Sequence, residues 1–238
     1  MATFVMIHGA WHGGWAFDPI RAGLEARGHR MLAPDLPDLA NPRKVTLAGW
    51  ADFTADLARA EAEPVILCGH SRGGIVISEA AERAPEAIRA LVYISAFLIP
   101  SGKSLQDLVA DEPRIPEFEA GLTPVAGGAA IALSPEGATA AFYHRAPAEM
   151  RAFALARIVP EPTAPFGTPL SLSAERFGRV PRHYIECTDD RAIPIAQQRS
   201  MQAALPCASV TTLDSDHSPF LTRPDELVAA LDRSAGAA

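Results

Sequence analysis

Short apolar runs alternate with helical patterns toward both ends of the sequence. Six short segments, four near the N-terminus and two near the C-terminus, are strand candidates: 4–7, 30–33, 65–68, 91–95, 183–187 and 210–213. The first four are continuously apolar or nearly so. Strands buried on both faces of a parallel sheet have this character. Helical spacing of apolar residues follows near Phe17, after Thr46 and after Ser71, and a last helix is predicted from Pro224. The alternation predicts an α/β fold, a mostly parallel sheet flanked by helices.

The middle of the sequence interrupts this pattern. Between Phe97 and Val180, proline and glycine are frequent and the apolar clusters are irregular. A plain loop of this length is unusual inside a compact domain. We therefore expect a core formed by residues 1–97 and 171–238, with residues 98–170 inserted as a small cap.

Composition excludes several classes of function. The net charge is −7 and the 21 Lys and Arg residues are scattered, which argues against a nucleic-acid partner. No secretory signal and no apolar run long enough to cross a membrane is visible, so a cytoplasmic location is the expectation. Three cysteines without a C-x-x-C motif indicate neither a disulfide framework nor a zinc site.

The sequence Gly-His-Ser-Arg-Gly-Gly at 69–74 is the strongest motif. It matches G-x-S-x-G and stands between the predicted strand 65–68 and a predicted helix. In such a motif the serine occupies a strained strand-to-helix turn, and small residues on both sides avoid collisions. The motif predicts Ser71 as a nucleophile. The alternative is a glycine-rich turn that only packs closely.

A serine nucleophile needs a base and an acid. His217 follows the last predicted strand, at the edge where loops gather in a parallel sheet. The acid is expected between serine and histidine in the chain, and the loop after the strand 183–187 offers Asp189 and Asp190. The segment after the strand 91–95 offers no acid. Spacing alone leaves both aspartates open.

The loop after the first strand reads His-Gly-Ala-Trp-His-Gly-Gly-Trp at 8–15. A His-Gly turn at this place commonly supplies one backbone N–H for an oxyanion, paired with the N–H after the nucleophile. We assign these donors to Ala10 and Arg72. The alternative is a loop that binds nothing. A dinucleotide site is disfavoured because G-x-G-x-x-G is absent there.

Four segments carry a family resemblance: FVMIHGAWHGGW at 4–15, VILCGHSRGG at 65–74, VPRHYIECTDDRAIP at 180–194 and DHSPF at 216–220. Together they resemble the plant methylesterase and hydroxynitrile lyase branch of the α/β-hydrolases, which has bacterial esterase relatives. The resemblance implies the α/β-hydrolase fold with a small cap. It also implies that Asp190, four residues before Pro194, is the acid, and it agrees with Ala10 and Arg72 as oxyanion donors.

The lyase members of that branch differ at informative positions. Many carry Thr where Gly9 stands and Glu where His70 stands, and they place a Lys where this chain has Ser218. That Lys steadies the cyanide leaving group, so the resemblance favours an esterase. Arg72 departs from the apolar residue that is usual in the esterases, and its side chain is expected in an ion pair.

The expected function is a serine carboxylesterase that hydrolyses a small apolar or aromatic ester through Ser71, His217 and Asp190, without cofactor or metal. A lactonase, an aryl-ester xenobiotic hydrolase, a hydroxynitrile lyase and a ligand receptor on this scaffold are the alternatives, and a homodimer is an allowed assembly. Residues near the motifs and aromatic residues of the cap are candidates for substrate contact: Gly9, Trp11, His12, His70, Phe97, Phe142, Tyr143, Phe166 and Ser218.

Overall fold

The computed structural model describes residues 1–110 and 114–236. Its strands are β1 (Thr3–Ile7), β2 (Arg30–Leu32), β3 (Val65–Ser71), β4 (Ile88–Ala96), β5 (Leu122–Val125), β6 (Ala130–Leu133), β7 (Glu161–Pro162), β8 (Arg182–Cys187) and β9 (Ser209–Leu213). Its α-helices are α1 (Asp18–Glu25), α2 (Leu47–Arg59), α3 (Gly73–Arg83), α4 (Leu105–Val109), α5 (Pro116–Gly121), α6 (Pro135–Phe142), α7 (Ala148–Leu155), α8 (Ile195–Ala204), α9 (Pro219–Thr222) and α10 (Pro224–Gly236).

The main sheet has six strands in the order β2-β1-β3-β4-β8-β9, and every pair in it is parallel. Each predicted strand is present, although β4 begins at Ile88, three residues earlier than expected. The order changes direction between β1 and β3, so the loops after these two strands face each other at the carboxyl edge of the sheet. The predicted parallel sheet is confirmed.

Both faces of this sheet are buried. Side chains alternate along a strand, so Val5 and Ile7 of β1 pack in one apolar cluster with residues of α2 and α3. Phe4 and Met6 lie on the other face, in a second cluster with residues of α1 and α10. Helices therefore cover the sheet on both sides, as the continuous apolar runs predicted.

Residues 98–170, for which we keep the name cap, contain a second, smaller sheet. β5 and β6 pair antiparallel through Leu122 and Leu133, and β6 pairs antiparallel with β7 through Ala130 and Pro162. Along the chain, α4 and α5 precede β5, and α6 and α7 lie between β6 and β7. The sequence did not predict it, because β5 contains a proline and β7 has only two residues. Among the described residues, every helix is too short or too polar to cross a lipid bilayer.

Candidate active site

Ser71 lies at a sharp turn between β3 and α3. Its φ of 53° is in the left-handed region, which costs energy for a residue with a side chain. Glycine is required around the turn: a Cβ on Gly69 would lie 2.7 Å from the carbonyl oxygen of Gly73, and a Cβ on Gly73 would lie 2.5 Å from that of Ile7. The turn thus has the tight geometry expected of the motif.

Asp190 and His217 meet at the same edge of the sheet. Nδ1 of His217 lies 2.7 Å from Oδ2 of Asp190, and both side chains are almost completely buried. An ionised carboxylate only accepts hydrogen bonds, so Nδ1 carries the proton. Nε2 of His217 is then unprotonated and can accept a proton.

The carboxylate of Asp190 is held from several sides. Its Oδ1 accepts the backbone N–H groups of Ala192 at 2.7 Å and Ile193 at 2.8 Å. Its Oδ2 accepts the hydroxyl of Ser95, and Nε2 of Gln198 lies 3.4 Å from the same oxygen. Sequence reasoning missed Ser95 and Gln198. Ser95 lies near the end of β4 and is the last residue of the predicted strand 91–95.

The two adjacent aspartates have different surroundings. The side chain of Asp189 is 48% exposed, and its Oδ2 lies 3.1 Å from Nε2 of His144 in the cap. Asp190 points inward to His217 instead. Geometry therefore distinguishes two residues that spacing could not.

His70 connects His217 to the turn at Ser71. Its Nε2–H donates to the backbone carbonyl of His217 at 2.8 Å, and the two rings lie 4.6 Å apart between centroids. Burial lowers the pKa of His70 well below its ordinary value, so the ring is neutral. Among the described residues, the hydroxyl of Ser71 makes no hydrogen bond to His217. Such bonds are often long in free enzymes and shorten when substrate binds.

Two backbone N–H groups beside Ser71 remain without an acceptor. Within residues 1–110 and 114–236, no carbonyl or side chain accepts the N–H of Ala10 or of Arg72. Both residues border the cavity next to Ser71. Free N–H groups near a nucleophile can stabilise negative charge on a substrate oxygen.

A cavity of about 400 Å³ opens in front of Ser71. Four of the predicted substrate-contact residues, all aromatic, line it: Trp11, Phe97, Phe142 and Phe166. Its wall also contains aliphatic side chains of the cap and core: Leu105, Val109, Ile115, Leu122, Ile131 and Ile193. Its polar lining includes the side chains of two arginines and two glutamines: Arg114, Arg191, Gln106 and Gln197.

The other predicted contact residues are packed behind this wall: Gly9, His12, His70, Tyr143 and Ser218. His12 illustrates the reason, because its Nδ1–H donates to the carbonyl of Ala10 at 2.7 Å and its Nε2 accepts from Tyr143 at 2.7 Å. Gly9 has no room for a side chain, since a Cβ would lie 2.8 Å from that of Ser71. These residues shape the loops and not the cavity surface.

The side chain of Arg72 makes the expected ion pair. Its partner is Glu161 of β7 in the cap, with Nε and Oε1 2.9 Å apart and both side chains 1% exposed. Burial lowers the pKa of Arg72 and raises that of Glu161, and their mutual attraction opposes both shifts. The sequence contained no signal for this partner, because the contact spans 89 residues.

Comparison with known proteins places this arrangement in a family. The model of the alpha/beta hydrolase family matches residues 4–230. The chain belongs to this family. This α/β-hydrolase is 34% identical to a pyrethroid hydrolase of Sphingobium wenxiniae, with 97% of the chain and 86% of that protein covered. It is 32% identical to Methylesterase 7 of Arabidopsis thaliana, with 96% and 94% covered.

A solved structure agrees with the sequence comparison. The crystal structure of a pyrethroid hydrolase from Sphingobium faniae superposes with a TM-score of 0.85 at 30% identity, over 99% of this chain and 98% of that one. The predicted fold and the predicted branch of the family are confirmed. The expectation that this α/β-hydrolase is an enzyme is confirmed as well, since its relatives are named as hydrolases and esterases.

Proposed function

We propose that this α/β-hydrolase is a serine carboxylesterase in which Ser71, His217 and Asp190 form the catalytic triad. The observation that carries the proposal is the buried contact between His217 and Asp190, 2.7 Å long, beside the strained serine turn. A serine hydroxyl, a carboxylate and an imidazole that follow one another in this chain order serve acyl transfer.

The reaction proceeds in two covalent steps. His217 takes the hydroxyl proton of Ser71 through Nε2 while the oxygen attacks the ester carbonyl, and Asp190 stabilises the resulting imidazolium. The developing oxyanion accepts hydrogen bonds from the backbone N–H groups of Ala10 and Arg72, which have no other acceptor among the described residues. His217 then protonates the leaving alcohol, and water releases the acid by the same sequence.

The cavity supports an apolar ester as the substrate. Aromatic and aliphatic residues form most of its wall, and five of them are aromatic: Trp11, Phe97, Phe118, Phe142 and Phe166. A cavity of about 400 Å³ admits an acyl or alcohol group as large as a substituted aromatic ring. The pyrethroid hydrolases among the relatives are named for apolar aromatic esters, which agrees with this lining. We propose an apolar, aromatic ester as the preferred class.

The first experiment measures hydrolysis of short and long p-nitrophenyl esters by the wild type and by Ser71→Ala, together with labelling by a fluorophosphonate probe. We expect wild-type turnover, and a loss of at least about 10⁴-fold with the variant, because the nucleophile of a triad is removed. A wild type that neither turns over an ester nor reacts with the probe would refute the proposal.

A second assay addresses the lyase alternative. Mandelonitrile cleavage is measured with the same preparations, and we expect no cyanide release above background. Robust release that depends on Ser71 would replace the esterase proposal with a hydroxynitrile lyase.

A further inference from the structure

The ion pair between Arg72 and Glu161 joins the nucleophile turn to the cap inside the protein. Besides Glu161, the guanidinium contacts Trp50, whose ring centroid lies 4.3 Å from its central carbon. Removing two charges from water costs several kcal/mol per ion, and a buried ion pair is often no more stabilising than apolar side chains of the same volume. Stability alone therefore explains this pair poorly.

Both partners of the pair also bind the loop after β1. Nη2 of Arg72 donates to the carbonyl of Gly9 at 3.1 Å. Oε2 of Glu161 accepts the backbone N–H of Trp11 at 3.1 Å. The residue between these two contacts is Ala10, whose own N–H is free among the described residues.

The carbonyl of Gly9 and the N–H of Ala10 belong to one planar peptide group. In a trans peptide these two bonds point in opposite directions, so fixing the carbonyl also fixes the direction of the N–H. The positive charge of Arg72 at the carbonyl polarises the peptide and strengthens the N–H as a donor. His8 is a second donor to this carbonyl, through Nδ1 at 2.9 Å, because its Nε2 accepts the N–H of Leu36.

We propose that Arg72 and Glu161 are positioning residues for the oxyanion donors. Arg72 supplies one donor from its backbone and orients the other through its side chain, while Glu161 holds the guanidinium and the next N–H of the same loop. Glu161 of the cap thereby influences the geometry of the reaction centre although it does not line the cavity. This inference rests on the proposed function, since it requires an oxyanion at this place.

The test compares Arg72→Met, Glu161→Gln and the double variant with the wild type. Each single variant leaves one charge buried without its partner, so we expect a lower melting temperature. The double variant removes both charges, and we expect its melting temperature to return close to the wild-type value. We expect its kcat for p-nitrophenyl butyrate to remain about 10- to 100-fold low with KM nearly unchanged, because a small misplacement of a catalytic group has an effect of this size.

A second measurement separates positioning from general packing. A trifluoromethyl ketone of matching acyl length adds to Ser71 as a hemiketal whose oxygen takes the oxyanion position, whereas the corresponding secondary alcohol binds without one. In the double variant the inhibition constant of the ketone should rise by the same factor as kcat/KM falls, and binding of the alcohol should not change. The control is Arg43→Met, which removes an exposed contact to the cap at Ala126 and should leave both constants at wild-type values.

The possible outcomes are distinguishable. A wild type without esterase activity refutes the proposed function before any variant is made. An active wild type with a folded double variant whose kcat is within about twofold of it refutes the positioning role. If the double variant does not fold, Arg72→Lys replaces it: lysine keeps the charge, but one ammonium group cannot reproduce both guanidinium contacts. Full kcat in that variant would also refute the proposal.

Discussion

Replacing Asp190 by asparagine should abolish most of the activity while leaving the fold intact. Oδ1 of Asp190 accepts two backbone N–H groups, at 2.7 and 2.8 Å, so the asparagine must keep its oxygen there and place its NH₂ where Oδ2 stood. The NH₂ then faces Nδ1 of His217. It can only donate, so the imidazole is driven to the tautomer with its proton on Nε2. In that tautomer His217 cannot take the serine proton.

The magnitude follows from the loss of the correct tautomer. The same exchange in the chymotrypsin triad lowers kcat by about 10⁴, and we expect about 10³ to 10⁴ here, equivalent to about 4 to 5.5 kcal/mol of activation free energy. KM should change little, because Asp190 lies outside the cavity wall. The assay is the rate of Ser71 acylation by a p-nitrophenyl ester under single-turnover conditions.

Asp189 provides a matched control at the adjacent position. Asp189→Asn removes the same charge from a half-exposed side chain whose nearby partners are His144 and Arg145 of the cap. We expect its acylation rate to stay within about twofold of the wild type, since exposed pairs contribute little. Equal loss in both variants, or a larger loss at Asp189, would refute the assignment of Asp190.

Three further changes test other parts of the site. Gly9→Ala should lower both kcat and the melting temperature, because its Cβ would lie 2.8 Å from Cβ of Ser71; unchanged kinetics would contradict the packing seen here. Ser95→Ala removes a buried donor to Asp190 and should cost about 1 to 3 kcal/mol of unfolding free energy, measured by urea titration. Acid should destabilise the fold, because burial strongly lowers the pKa of three histidines, to about 3 in His8, to about 4 in His12 and well below the ordinary value in His70. The unfolded chain then binds more protons below its histidine pKa of about 6.5, so stability falls as the pH drops below that value. Between pH 8 and 5.5 the loss should total about 4 kcal/mol, and a flat stability profile over this range would refute neutral burial.

The main sheet could be predicted from the sequence because its strands are buried on both faces. This holds for β1, β3 and β4, which are nearly continuous apolar runs, whereas the edge strands β2 and β9 are partly exposed. The glycines of the serine turn mark the position where β3 ends. The second sheet could not be predicted, since β5 and β6 are short, partly exposed and without clear alternation, and β7 has only two residues. The spacing of apolar residues in the sequence identifies a strand or a helix only where burial of that element imposes such a spacing.

The residues of the sequence motifs in the candidate site could be predicted, whereas the side chains that hold them in place could not. Ser71 and His217 follow strands, so their place at the carboxyl edge could be anticipated. Ser95, Gln198 and Glu161 approach their partners only in the folded chain. A serine, a glutamine or a glutamate at such a position resembles any surface residue in sequence, and only the tertiary contact distinguishes it.

The pairing of β4 with β8 also has a consequence for how the chain acquires activity. Residues 97–181 lie between these strands. The part of the main sheet formed by β1 to β4 therefore joins the part formed by β8 and β9 only after a long loop has closed. Closing such a loop costs entropy before any contact offsets it, and pairings of this kind fold slowly. Under the proposed mechanism, a nascent chain that has emerged only as far as β4 already contains the nucleophile and both oxyanion donors but lacks the base and the acid. We therefore expect hydrolysis to begin only after β8 and β9 have joined the sheet.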